Sequence, residues 1–169
     1  MADKLGVKLQ VQDMQFTSII PNIQNGEYDI AIAAMYDTAA RREAVLMSDS
    51  YCDSGMILAV KEGSKYEGTI KTLADCDGLK VAVKSGATSE KVAQDFLDQN
   101  PDVNYEVIGY EDTVGCVSDL LADRVDVVVN DLLNHKELSK QYPDAVIVSD
   151  ALTHESNAVA VQKGKDDLM

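Results

Sequence analysis

The sequence has no basic run, no Cys-x-x-Cys pair, no cluster of histidines and no tryptophan. The first absence bears on partners. Lys+Arg 15 against Asp+Glu 29 leaves a formal charge of −14, and such a chain, lacking a local basic patch, is repelled by nucleic-acid phosphates and anionic membrane surfaces. No nucleic-acid partner is expected. Cys52, Cys76 and Cys116 are odd in number and widely spaced, which supports neither a zinc site nor a disulfide framework. They read as small semi-buried residues, and His135 and His154, within or beside polar segments, read as surface histidines. No apolar run reaches the ~20 residues of a membrane-spanning helix. Residues 1–6 carry no secretion-signal apolar stretch, so export is not legible in them. HExxH, GxSxG and paired-carboxylate motifs are missing too. Neither a catalytic residue, a metal nor a cofactor is expected.

What remains is an ordinary globular composition, 46% hydrophobic and 26% charged over 169 residues, enough for one domain or two small lobes. Val7 to Val11 alternates apolar and polar residues and predicts a strand. A helix is expected from about Ser18 to Gln24, with Pro21 in its first turn. A strand through Ile30, Ile32 and Ala34 follows, then a helix opened by Thr38 as N-cap. Met56 to Val60 predicts a strand leaving this lobe, and the polar stretch Lys61 to Thr69 a surface connection. The pattern then restarts. Strands are expected at Leu79–Val83, Tyr105–Ile108, Val125–Val129, Ala145–Val148 and Asn157–Val161. Helices are expected at Ser89–Asp98, Thr113–Ala122 and Leu132–Gln141. The reading is α/β with two lobes: residues 1–60, to which 157–169 return, and residues 61–156. An internal echo supports related lobes. Ile23-Gln-Asn-Gly-Glu-Tyr-Asp-Ile-Ala-Ile32 and Leu120-Leu-Ala-Asp-Arg-Val-Asp-Val-Val-Val129 both run from a helix end through a polar turn to an Asp opening a strand.

Ligands of open α/β sheets bind outside the carboxyl ends of strands, where amides of the next helix are free. Three segments qualify. Ala34 to Arg41 places Arg41 in the first turn of a helix, where the dipole disfavours a cation by a few tenths to about 1 kcal/mol. A bound carboxylate, gripped by the guanidinium fork, would offset that, and pairing with Asp37 or Glu43 is the alternative. Lys84-Ser-Gly-Ala-Thr-Ser89 resembles a small anion-binding turn, with Lys84, Ser85 and Thr88 as donors, although turn-and-cap chemistry explains it as well. Asp131 is either a helix cap or, facing an arginine of the other lobe, the receiver of a ligand's ammonium.

Taken together, Phe16-Thr-Ser-Ile-Ile-Pro-Asn-Ile-Gln-Asn-Gly26, Asp29-Ile-Ala-Ile-Ala-Ala-Met35, Thr38-Ala-Ala-Arg41, Ser48-Asp-Ser-Tyr51 and Asp53-Ser-Gly55 resemble, in order and spacing, the family-3 extracellular solute-binding proteins of amino-acid ABC transporters. Leu73 to Gly86, Leu120 to Asp126 and Val159 to Gly164 continue the likeness. The resemblance implies a two-lobed periplasmic-binding-protein-like (type II) fold that closes around a free amino acid. It also implies an extracytoplasmic location and a transporter permease as partner. On the matching positions it implies that Phe16 packs against the ligand, Ala34 offers its carbonyl, Arg41 binds the α-carboxylate, Thr88 adds a donor and Asp131 binds the α-ammonium. Asn130 would touch the ligand's side chain. Tyr36 stands where the family often has a smaller hydroxyl residue, and Met47 where it usually has phenylalanine. Family members usually have a strand and helix before the segment matching Leu5-Gly6 and helices after that matching Asp166–Met169. Lobe one is therefore expected to be incomplete and the chain to self-associate. An enzyme on the same scaffold, such as a cyclohexadienyl dehydratase, and a sensor or interaction module are the alternatives.

Overall fold

The computed structural model describes residues 2–168, which build two sheets. In the first, β1 (Ile30–Tyr36), β2 (Leu46–Met47) and β3 (Cys52–Ser54) all pair antiparallel with β9 (Glu155–Val161). Ile23 of α2 (Phe16–Gln24) packs with Met35, Val45, Met47, Ala158 and Ala160 to form this lobe's core. α3 (Ala39–Ala44) is capped by Thr38, whose Oγ1 accepts the Arg41 amide at 3.3 Å. Helix α2 starts two residues before the expected position, so Pro21 lies beyond the first turn, where its ring leaves one carbonyl of the preceding turn without an amide partner.

The second sheet has the order β6-β5-β7-β4-β8. β5 (Lys80–Lys84) runs parallel to β6 (Glu106–Tyr110) and β7 (Val127–Asp131), while β4 (Met56–Lys61) is antiparallel to β7 and β8 (Ala145–Ile147). Its central strands are apolar runs because both faces are covered. Val81 and Val83 point into a core shared with Ala93 of α4 (Thr88–Gln99). Ala82, between them, points the other way, onto Cys116, Val117 and Leu120 of α5 (Thr113–Leu121). Burying each such valine or leucine contributes about 1.5–3 kcal/mol.

Three expectations need correction. Val7–Val11 is not a strand: it follows α1 (Ala2–Leu5) as exposed chain, with Val7, Leu9 and Val11 58%, 67% and 81% accessible. Alternation creates a strand only where a neighbour supplies hydrogen bonds, and none does so among the described residues. Residues 56–60 do not close the first lobe but sit inside the second sheet as β4. The chain therefore crosses between the sheets at Gly55 and returns through residues 149–154. The crossovers are bonded to each other: Met56 N–H donates to Thr153 Oγ1 at 3.1 Å, and Leu152 N–H to the Met56 carbonyl at 2.7 Å. His135 is the third case. It is fully buried in α6 (Leu132–Leu138) rather than on the surface, although His154 is exposed. Leu132, His135 and Leu138 recur every three residues and share the inward face of a helix whose other positions, Leu133 apart, are polar.

Cys76 and Cys116 are buried and Cys52 half-buried, all three as free thiols. Burial pushes the Cys76 and Cys116 thiols up to about 12, so neither is a nucleophile near neutral pH.

Candidate functional site

The C-terminal ends of β1, β5 and β7 face one cleft of about 100 Å³ between the sheets. Among its lining are Phe16, Ala34, Tyr36, Arg41, Lys84, Thr88, Asn130 and Asp131, each singled out in the sequence.

On the first lobe, the pairing of β1 with β9 shifts register between Ala31 and Met35. Within this bulge Ala34 takes φ 47, a left-handed conformation that costs an L-residue roughly 1–2 kcal/mol. The bulge sets Ala33 and Ala34 against the cleft while Met35 returns to the core. Beyond it, Arg41 sends Nη1 to the Tyr36 carbonyl at 2.8 Å and holds its guanidinium 5.4 Å from the Phe16 ring centroid. Its neighbour Arg42 takes Asp37 at 2.5 Å, whereas Arg41 has no ion pair among the described residues. Burial lowers the Arg41 pKa, opposed by the more distant Glu155. Since α3 has only six residues, Arg41 also belongs to its last turn, so the helix dipole gives no reason for a carboxylate there. What stands at the cleft is a partly buried guanidinium with no ion pair among the described residues.

On the second lobe, Lys84 at the end of β5 reaches across to the other face of the site, its Nζ 4.5 Å from the Phe16 centroid. It too lacks an ion pair among the described residues, and burial lowers its pKa against the pull of Asp112 and Asp13. Gly86, at φ +70, makes the turn into α4, but its amide already donates to Glu90 Oε2 at 2.8 Å. Ser85 also drops out as a donor: it does not line the cleft, and its hydroxyl lies against Gly109. Thr88 and Ser89 remain at the cleft, in the first turn of an α4 that no side chain caps.

Asp131 is a helix cap and also bonds across the cleft. Its Oδ1 caps α6 by accepting the Asn134 amide at 2.7 Å, and its Oδ2 accepts the Tyr36 hydroxyl from the opposite lobe. Burial, then this bond, raise the Tyr36 pKa, so the phenol stays protonated. Asn130 lines the cleft, but its amide is engaged elsewhere. Oδ1 accepts the Asp131 amide at 2.8 Å, and Nδ2 donates to Asn134 Oδ1 at 3.0 Å and stands 3.4 Å from His135 Nδ1. Because His135 Nε2 lies 3.0 Å from the Ala145 carbonyl, which only accepts, Nε2 carries the proton and Nδ1 receives Asn130. Met56, Thr113 and Asn134 also line the cleft and were not foreseen. Thr113 opens a helix after a strand end, the same signal that marks Thr88.

A second cavity, of about 690 Å³, opens behind Phe16. Residues 9–14 form one wall and Ile30–Ala33 of β1 the other, with Ile19, Ile23 and Tyr28 between them. Among the described residues β1 pairs only with β9, so its other edge faces this slot.

A polar cleft between two α/β sheets that the chain crosses twice defines a two-lobed solute-binding protein of the periplasmic type II fold. Residues 1–169 match the bacterial extracellular solute-binding proteins, family 3, and the chain belongs to that family. It is 29% identical to the L-cystine-binding protein TcyJ of Escherichia coli (strain K12) over 170 residues, covering all of this chain and 61% of that relative. The chain thus spans about three-fifths of the length of that relative. The structure of holo ArgBP from T. maritima superposes with TM-score 0.90 at 31% identity, over 99% of this chain and 70% of that one. The ancestral amino acid-binding protein AncCDT-1, described as a precursor of cyclohexadienyl dehydratase, matches with TM-score 0.86 at 31% identity, over 99% and 70%.

Proposed function

We propose that this chain binds a free amino acid in the cleft, as the extracytoplasmic receptor of an ABC importer whose permease is its partner. The observation that carries the reading is Arg41, an always-charged group partly buried at the cleft without an ion pair among the described residues, in the same pocket as the Asp131 carboxylate. A zwitterion supplies what both ends need. Its α-carboxylate takes the guanidinium fork and the uncapped first turn of α4 near Thr88, and its α-ammonium takes Asp131 in place of the Tyr36 hydroxyl. The carbonyl of Ala34, in the bulge that lines the cleft, is a second acceptor for the ammonium, and Phe16 forms the apolar wall. The role is non-catalytic: what is required of these side chains is charge pairing and closure of the lobes. Isothermal titration with the twenty amino acids tests it. Tight binding of one or a few of them is expected, and no binding, with the fold intact by circular dichroism, defeats the reading. Turnover assays on cyclohexadienyl acids decide against or for the dehydratase alternative.

Self-association is the second part of the proposal, supported by the slot beside β1. Its open strand edge, the exposed Ile32 and the unpaired alternating residues Val7, Leu9 and Val11 are groups that a strand from another copy would cover. Light scattering across a dilution series is the check. A monomer at every concentration removes this part.

A further inference from the structure

Resting on that reading, we infer that the amino acid carries a second carboxylate, as aspartate and glutamate do, and that Lys84 receives it. Three ionised side chains line the cleft: Arg41, Lys84 and Asp131. An uncharged-side-chain amino acid would match Arg41 with its carboxylate and Asp131 with its ammonium. Lys84 would then remain half-buried, between the cleft and the second cavity, with no ion-pair partner among the described residues, an unfavourable state for an ammonium group. A basic amino acid would add a like charge beside it. An acidic side chain leaves every charge in the cleft paired.

Placement agrees with charge. Arg41 and Lys84 stand over the same Phe16 ring, 5.4 and 4.5 Å from its centroid, so a ligand lying against that ring meets both cations. The π-face of Phe16 compensates each cation only in part. Asp112 and Asp13 act on Lys84 through space, but neither forms an ion pair with it. The cavity, about 100 Å³ with Tyr36 occupying its Asp131 end, suits a small ligand better than a long one.

The test is isothermal titration of the whole chain with L-glutamate, L-aspartate, L-glutamine, L-asparagine and L-arginine, repeated on Lys84→Met after circular dichroism confirms its fold. The inference expects one of the acids to bind about tenfold or more tighter than its own amide, and this preference to collapse in Lys84→Met. An amide bound as tightly as its acid, or a preference for arginine, overturns the inference while leaving amino-acid binding in place. Persistence of the acid preference in Lys84→Met overturns the role of Lys84. Absence of binding by every amino acid defeats the parent reading and this inference with it.

Discussion

The Tyr36 hydroxyl donates to Asp131 across the cleft and so ties the C-terminal end of β1 to that of β7. These are the two strands that the internal sequence echo, Ile23–Ile32 and Leu120–Val129, sets in parallel. The phenol occupies the carboxylate oxygen that a ligand ammonium would use. Tyr36→Phe is therefore expected to tighten amino-acid binding by about 0.5–1.5 kcal/mol, the worth of one competing hydrogen bond. The ligand-free protein should also open, visible as a larger radius of gyration in small-angle scattering. Weaker binding would mean that the hydroxyl serves the ligand instead.

Arg41→Ala should cost about 2–5 kcal/mol of binding, since it leaves a desolvated ligand carboxylate without its partner. Arg41→Lys should restore only part, because an ammonium lacks the planar fork. The fold should lose at most about 1.5–3 kcal/mol, the worth of the hydrogen bond Arg41 gives the Tyr36 carbonyl, since it holds no ion pair among the described residues. Unchanged affinity on calorimetry would remove the carboxylate role.

Asp131→Asn keeps an oxygen to cap α6 but removes the charge. Ligands with a free α-ammonium should weaken relative to analogues without it, by roughly 1.5–3 kcal/mol as for a hydrogen bond to a charged group. Equal weakening of both would leave Asp131 as a cap alone.

Gly55→Ala should destabilise the fold by about 1–3 kcal/mol, because a Cβ there would sit 2.2 Å from the Thr153 carbonyl oxygen and the backbone would have to move. Thermal melting reads the effect, and an unchanged midpoint would show that the two crossovers separate freely.

His135 is held neutral by burial, its folded pKa lowered from 6.5. The unfolded chain therefore binds a proton that the folded chain refuses. Stability from this group is full above about pH 6.5 and declines as pH falls through that value towards the folded pKa. In His135→Gln the fall of the melting temperature between about pH 7 and about pH 5 should be shallower. An identical slope would assign the acid sensitivity to other groups.

Most of the order of the longer helices and strands was legible from apolar spacing, and so was the lining of the cleft, because strand ends followed by polar helix starts announce themselves at Ala34, Lys84 and Asp131. Sheet membership was not. The apolar run of β4 is the same whichever sheet it joins, and only its pairing with β7 and β8 assigns it. The Tyr36–Asp131 bond lay outside what spacing can express, since it depends on how the lobes face each other. His135 was misjudged because polar neighbours masked a three-residue period. Val7–Val11 shows the converse, a pattern with no partner strand among the described residues.

The two crossovers lie against each other at Gly55 and Thr153 and are bonded through Met56 and Leu152. Linked in this way, the two crossovers cannot be displaced independently without breaking these bonds, so the joint between the sheets is stiffer than two separate tethers would make it.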